Sequence, residues 1–205
     1  VGADVCGFHN NFEHEMCGRW MQLSAFYPFA RNHYNLTDGV EPLQPQEPYN
    51  LDEPWRETAR LAIIQRYQFL RYMYTRLYEI NQNGGGTLIR PIFFEFPADD
   101  DAYKGYEHSF MVGNALKVTP VIVPETEHHG KIKSYFPAGS RFISLNDFST
   151  ILEGGESGQN ITLEASTNYT NVHLKEGTVL PWQNQTTDDF EMRTKGLITN
   201  RGISL

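Results

Sequence analysis

The chain predicts an α/β portion followed by an all-β portion, and three features carry that prediction. Gly2 to Phe8 reads as a short apolar strand that delivers a carboxylate, Asp4; a helical segment and a strongly polar Arg31-Asn32-His33 loop follow it. A strand bearing an acid at its carboxyl end, then a helix, then a polar loop is the repeating unit of a β/α barrel whose site lies at the strand ends. Leu88 to Phe96 (LIRPIFFEF) is apolar on both faces, as a strand covered on both sides is. After Gly113 the helical period disappears, and short strands separated by turn residues take over, which is the texture of a β-sandwich. The expected organisation is a barrel portion over residues 1–115 and a β-sandwich over 116–205. The barrel reading makes Val1–Phe8 and Leu88–Phe96 neighbouring staves.

In chain order, Asn10 is placed to cap the first helix, with Glu13 completing a capping box. The spacing of Met16, Trp20 and Leu23 carries this helix to about Phe26, and Pro28 stops it. Residues 32–50 contain Pro42, Pro45 and Pro48 and read as an irregular polar loop. The second helix is the clearest element. Asn50 or Asp52 caps it and Pro54 sits in its first turn. Ala59, Ala62, Ile63, Arg66, Tyr67, Leu70, Tyr74, Leu77 and Tyr78 recur at three- and four-residue steps along it. Arg56, Arg60, Arg66, Arg71 and Arg76 read as its solvated face, and Asn83-Gly84-Gly85-Gly86 ends it. Pro91 cannot donate to a ladder, so it belongs near a bulge or at the working end of its strand. Asp99, Asp100 and Asp101 favour the start of a helix over residues 102–112. Beyond it the expected strands are Leu116–Val123, Lys131–Phe136, Arg141–Leu145, Asn160–Leu163, Asn171–Leu174 and Thr178–Trp182.

A net charge of −8 argues against nucleic acid, whose binding needs clustered Lys and Arg. No apolar run of about 18 residues exists, so no membrane span is expected. Neither Cys-x-x-Cys nor a zinc-finger histidine spacing is present, and no metal or other cofactor is expected. Cys6 and Cys17 are either two buried thiols or one disulfide. Four Asn-x-Thr sequons, at Asn35, Asn160, Asn168 and Asn184, favour the disulfide, because they point to the secretory pathway and a lysosomal or extracellular destination. The chain opens inside a strand, so it reads as a piece of a longer enzyme.

The candidate binding residues are Asp4, Phe8, Arg31 and His33. Carboxylate and imidazole exchange hydrogen bonds with sugar hydroxyls, and an aromatic ring covers the apolar face of a pyranose. Taken singly, Arg31 pairs with Asp4 and His33 is a satisfied loop histidine; their clustering favours a sugar pocket. His128-His129, with Glu125 or Glu127, is the other grouping of ligand-type residues. It reads as exposed loop histidines.

GADVCGF (Gly2–Phe8) and CGRWMQLSAFYPFARNH (Cys17–His33) resemble the seventh βα unit of glycoside hydrolase family 31, the retaining α-glucosidases. PQEPYNLDEPWRETARLAIIQRYQFLRYMYT resembles the following family helix and RPIFFEFP the eighth barrel strand. GNALKVTPVIVP, KSYFPAGSRFI and NVHLKEGTVLPW resemble the barrel exit and the proximal C-terminal β-domain. The cysteine pair and the Arg-Asn-His triplet resemble the branch of lysosomal acid and intestinal α-glucosidases. Tyr34 stands where the family more often has Asn, and a longer loop, Asn35 to Gln44, follows it.

The resemblance implies the C-terminal strands and helices of a (β/α)8 barrel followed by a β-sandwich. It implies hydrolysis of terminal α-linked glucose from oligosaccharides or glycogen- and starch-like glucans. His33 would bond hydroxyls of the glucose in the cleaved subsite, Asp4 would lie at the pocket base, Phe8 would line it, and Arg31 would support Asp4 or the loop. The two catalytic carboxylates would lie on earlier strands, before Val1. No residue here is then catalytic, the remainder of its own catalytic domain is a required partner, and the 205 residues alone are inactive. The alternative is a catalytically inactive carbohydrate-binding or structural module from a truncated gene.

Overall fold

A computed structural model describes residues 2–35, 44–104, 108–183 and 200–204, the last stretch as backbone only. Asn184 and the loop acids Asp188 and Asp189 lie outside the described residues.

Two helices build the first half: α1 (His14–Ser24) and α2 (Trp55–Gln82). Glu13, and not Asn10, occupies the N-cap of α1, without a side-chain cap bond. Asn10 is diverted into a left-handed turn at φ 61°. The helix buries Cys17, Gly18 and Met21 against α2. Gly18 is required there, because a Cβ would stand 2.6 Å from Cε3 of Trp55. Met16, Trp20 and Leu23 line a groove with Val121–Pro124, and Trp20 also packs against the α1–α2 core.

The spacing predicted one stripe on α2, but two halves of the helix bury different faces. Ala59 and Ala62 pack with Val5, Cys6, Phe12, Cys17, Met21 and Leu51. Phe69, Tyr72 and Met73 pack on a β-sheet. Ile63, Tyr74, Leu77 and Tyr78 are exposed. Arg66 leaves the expected solvated face: its Nη1 donates to the carbonyls of Ser24 (3.2 Å), Ala25 (3.1 Å) and Tyr27 (2.6 Å). Carbonyls in the last turn of a helix lack intrahelical partners, and a guanidinium supplies them.

The strands are β1 (Ile89–Pro91), β2 (Phe110–Val112), β3 (Leu116–Thr119), β4 (Lys131–Phe136), β5 (Arg141–Ser144), β6 (Ile151–Glu153), β7 (Gln159–Glu164), β8 (Asn171–Lys175), β9 (Val179–Gln183) and β10 (Asn200–Ser204). Six form a sheet in the order β1-β2-β3-β8-β5-β6, antiparallel throughout; β4 pairs with β7 and β9 with β10. Strand side chains alternate between faces. Leu116, Val118, Val172 and Leu174 therefore meet α2, while Met111 and Phe142 meet Tyr135 and Phe136 of the β4–β7 ribbon.

Three expectations change. The segment from Leu88 is a strand for three residues only, ends at Pro91 and enters a 3-10 turn, Ile92–Phe94. It pairs antiparallel with β2 and does not pair with the first segment among the described residues; Gly2, Ala3 and Ile89–Phe93 face one another across a cavity of about 660 Å³. No helix forms over 102–112 among the described residues: Asp99 caps a single 3-10 turn, Asp100–Tyr103, and 110–112 is β2. The fold is nonetheless mixed, a helical portion joined to an antiparallel β portion, as barrel and β-domain require.

Buried polar contacts tie the halves together. Arg19 donates to the carbonyls of Ser166 (2.6 Å) and Ala165 (3.0 Å) and lies over the Trp55 ring at 5.1 Å. Gln22 Nε2 donates to the carbonyls of Ser166, Thr167 and Tyr169. No helix among the described residues is long and apolar enough to cross a membrane.

Candidate sugar-binding site

The first segment meets the start of the polar loop in parallel. Asp4 bridges Arg31, and the Val5 amide donates to the Arg31 carbonyl at 2.8 Å. The chain then turns sharply through Cys6 (φ 73°) and Gly7 (φ 94°). Cys6 is disulfide-bonded to Cys17 of α1, so the turn is anchored to the helix behind it. Past the turn, the Phe8 carbonyl accepts the Asn35 amide at 3.0 Å. Two strand-like contacts and one covalent bond thus fix the four predicted residues relative to one another.

The structure brings all four together. Arg31 Nε donates to Asp4 Oδ1 at 2.7 Å. That hydrogen bond holds the Asp4 carboxyl below its ordinary range; burial opposes it, and the charges of Arg31 and His33 add to it. Asp4 therefore stays ionised and acts as a hydrogen-bond acceptor. Phe8 and His33 place their ring centroids 5.4 Å apart at 35°. Arg31 and His33 are exposed, so the cluster opens to solvent. It offers acceptors, an imidazole and an aromatic wall, which suits a polyhydroxylated ligand. It holds one carboxylate, whereas retaining glycoside hydrolysis uses two about 5 Å apart.

A strap of residues, Gln44 to Pro48, borders this cluster and was missed by sequence reasoning. Gln44 Oε1 accepts the Phe12 amide at 3.3 Å, and Gln46 Nε2 donates to the Gly7 carbonyl at 2.9 Å. Asn32 Nδ2 donates to the Gln46 carbonyl at 2.8 Å. The signal was present: Gln44 and Gln46 alternate in an extended proline-rich run, so both side chains share one face.

The other candidates resolve differently. His128 is buried, not exposed, and comes together with Glu15 and Glu125, ligand atoms lying within 4.8 Å of one another. Its Nδ1 accepts the Gly130 amide at 2.9 Å, so in the neutral ring the proton resides on Nε2, which faces Glu15 at 4.0 Å. That tautomer presents a donor to the carboxylates and no free lone pair for a cation. Asn160 and Asn168 are exposed, and Asn35 is half-buried beside Phe8.

A buried cation lies deeper. Lys117 is fully enclosed on β3, and its Nζ donates to Thr119 Oγ1 (3.1 Å) and to Ser134 Oγ. Burial pushes its pKa down to about 7. His173, opposite it on β8, packs edge-on against Phe136 at 5.2 Å. Burial, aided by the Lys117 charge, pushes its pKa down to about 3.

Comparison with known proteins places these observations in a family context. A model of the "Glycosyl hydrolases family 31 TIM-barrel domain" matches residues 1–76, and one of the "Glycosyl hydrolase family 31 C-terminal domain" matches residues 85–180. The chain is 36% identical over 208 residues to mouse lysosomal alpha-glucosidase, covering 94% of this chain and 21% of that protein. It is 37% identical over 195 residues to human intestinal sucrase-isomaltase, covering 95% of this chain and 10% of that protein. A Flavobacterium johnsoniae family 31 dextranase, solved in complex with glucose, superposes with a TM-score of 0.71 at 27% identity, covering 84% of this chain and 20% of that one. The chain thus spans about a fifth or less of the length of these relatives.

Proposed function

Because this chain belongs to glycoside hydrolase family 31, we propose that it forms part of a retaining α-glucosidase and supplies one wall of its glucose pocket. The observation that carries this reading is the juxtaposition of Asp4, Arg31, His33 and Phe8 around one disulfide-anchored turn. In the proposal, His33 and Asp4 hydrogen-bond hydroxyls of the glucose whose linkage is cleaved, Phe8 lines the pocket, and Arg31 keeps Asp4 ionised and oriented. The substrate is a terminal α-linked glucose on an oligosaccharide or glucan.

The nucleophile and the acid/base belong to other barrel strands in this reading, since the cluster holds a single carboxylate already committed to Arg31. The 205-residue chain alone is then inactive, and residues 1–115 and 116–205 are its barrel portion and β-domain. The relatives' lysosomal character and the sequons support a secretory-pathway protein carrying glycans at Asn35, Asn160, Asn168 and Asn184.

The test is His33→Ala in the full-length enzyme. A hydrogen bond that strengthens in the transition state is lost, so kcat/KM for an α-glucoside should fall by about 100-fold or more. Unchanged kinetics would remove His33 from the pocket.

A further inference from the structure

We propose that Gln46 is a positioning residue of the sugar site: it fixes the peptide that aims Phe8 and couples it to the loop that carries His33. This role rests on the pocket reading above.

The turn that bears Phe8 needs such a hold. Two backbone bonds tie its segment to the polar loop, one from the Val5 amide to the Arg31 carbonyl and one from the Asn35 amide to the Phe8 carbonyl. Between them lies the Gly7–Phe8 peptide, whose rotation sets the direction of the Phe8 ring. Gly7 sits at φ 94°, and a Cβ there would meet nothing within 4 Å, so packing does not restrain it. Glycine is also the residue least restrained by its own geometry. The disulfide holds Cys6 to α1 but does not reach this peptide.

Gln46 supplies the missing restraint. Its Nε2 donates to the Gly7 carbonyl at 2.9 Å, which is the oxygen of that peptide. A carbonyl only accepts, so the amide nitrogen must face it. The backbone carbonyl of the same residue accepts Asn32 Nδ2 at 2.8 Å. Asn32 precedes His33 as Gly7 precedes Phe8, so one residue links the neighbours of both rings. Gln46 is 6% exposed, and little water competes for these bonds. Gln44 keeps the strap in register: its amide donates to Asn11 Oδ1 at 3.1 Å and its Oε1 accepts the Phe12 amide at 3.3 Å. Residues 7–12 are thus gripped by the disulfide on one side and by the strap on the other. Gln46 itself touches no sugar. It acts through Phe8, whose ring stands 5.4 Å from that of His33.

The test is steady-state kinetics of the full-length enzyme on an aryl α-glucoside. Gln46→Met keeps the length and removes the donor. KM should rise by about 3- to 10-fold, the range of one neutral hydrogen bond, with kcat nearly unchanged because ground-state binding is what weakens. A residue that only stabilises the fold would lower the amount of active enzyme, and hence the maximal rate, at constant KM; that result overturns the role. In a Phe8→Ala background the same change should raise KM by no more than about 2-fold, and a full rise there also overturns it. Gln46→Glu gives a rescue. Burial raises a carboxyl pKa, and the protonated acid donates to the Gly7 carbonyl again. Its KM relative to wild type should therefore return toward one as pH falls, and a ratio independent of pH refutes the mechanism. His33→Ala separates the two claims. If it cripples hydrolysis while Gln46→Met leaves KM unmoved, the positioning role alone falls. Unaltered hydrolysis in His33→Ala removes the pocket reading and this role with it.

Discussion

Replacing Lys117 with Met should stabilise the protein, and by an amount that depends on pH. The ammonium is wholly buried on β3; its partners among the described residues are Thr119, Ser134 and the Phe136 ring, 4.3 Å from Nζ. Its pKa falls from 10.5 to about 7 because burial disfavours the charged form. At about 1.4 kcal/mol per unit, that displacement corresponds to a destabilisation on the order of 5 kcal/mol. The unfolded chain binds the proton more tightly, so the cost grows as pH falls from 10.5 to 7 and is constant below. Methionine has similar length and no charge. The hydroxyls left behind still satisfy one another, Ser109 with Thr119 (3.1 Å), Ser109 with Ser134 (3.3 Å) and Thr119 with Ser134 (2.8 Å). Allowing for imperfect repacking, Lys117→Met should gain about 2–4 kcal/mol at pH 6, with the advantage shrinking toward pH 10. Denaturant unfolding of both forms at the two pH values measures this. A variant no more stable at pH 6, or one whose gain is the same at pH 10, refutes the reasoning.

Other expectations concern acid, redox state and modification. His173 titrates at about 3 against 6.5 in an unfolded chain, so its burial removes stability as pH falls through that interval; His173→Gln should flatten the acid limb of a melting-temperature profile, and an identical limb counts against the assignment. Opening the Cys6–Cys17 loop by a Cys17→Ser, Cys6→Ser double change should cost about 3 kcal/mol and raise KM for α-glucosides, since the turn bearing Phe8 loses its anchor. A wild-type KM in that variant contradicts the anchoring role. Glycopeptide mass spectrometry of enzyme from a secretory host should find sugar on exposed Asn160 and Asn168, and bare peptides would withdraw both sites.

Local chemistry made much of this molecule readable. The second helix stops at Asn83-Gly84-Gly85 because those residues act within one turn of themselves, whereas its N-cap is Pro54 and not the expected Asn50 or Asp52. Strand β4 occupies Lys131–Phe136 as anticipated, since turn-forming residues punctuate both ends. That Asp4, Phe8, Arg31 and His33 lie together was legible because chemically matched residues sit on two short polar segments. What escaped depends on distant partners. Asp99 is claimed by the Tyr135 hydroxyl and the Ala138 amide, and among the described residues the acids after Phe96 launch only a single 3-10 turn. Leu-Lys-Val-Thr in β3 alternates apolar and polar residues, yet the β4–β7 ribbon covers the face bearing Lys117. Two apolar flanks compete on α2, and only the sheet decides that Phe69, Tyr72 and Met73 go inside.

The division of labour along α2 has a consequence for how damage spreads. One rigid rod, roughly 42 Å long, is gripped near its start by the disulfide-bearing hub and near its end by the six-stranded sheet. Arg66, at its midpoint, plugs the carbonyls from which the chain departs toward Arg31. A lesion in a strand of the sheet can therefore tilt the rod and misalign the turn that bears Asp4 and Phe8. Excising either half would leave the rod with a bare flank, so the two should melt as one.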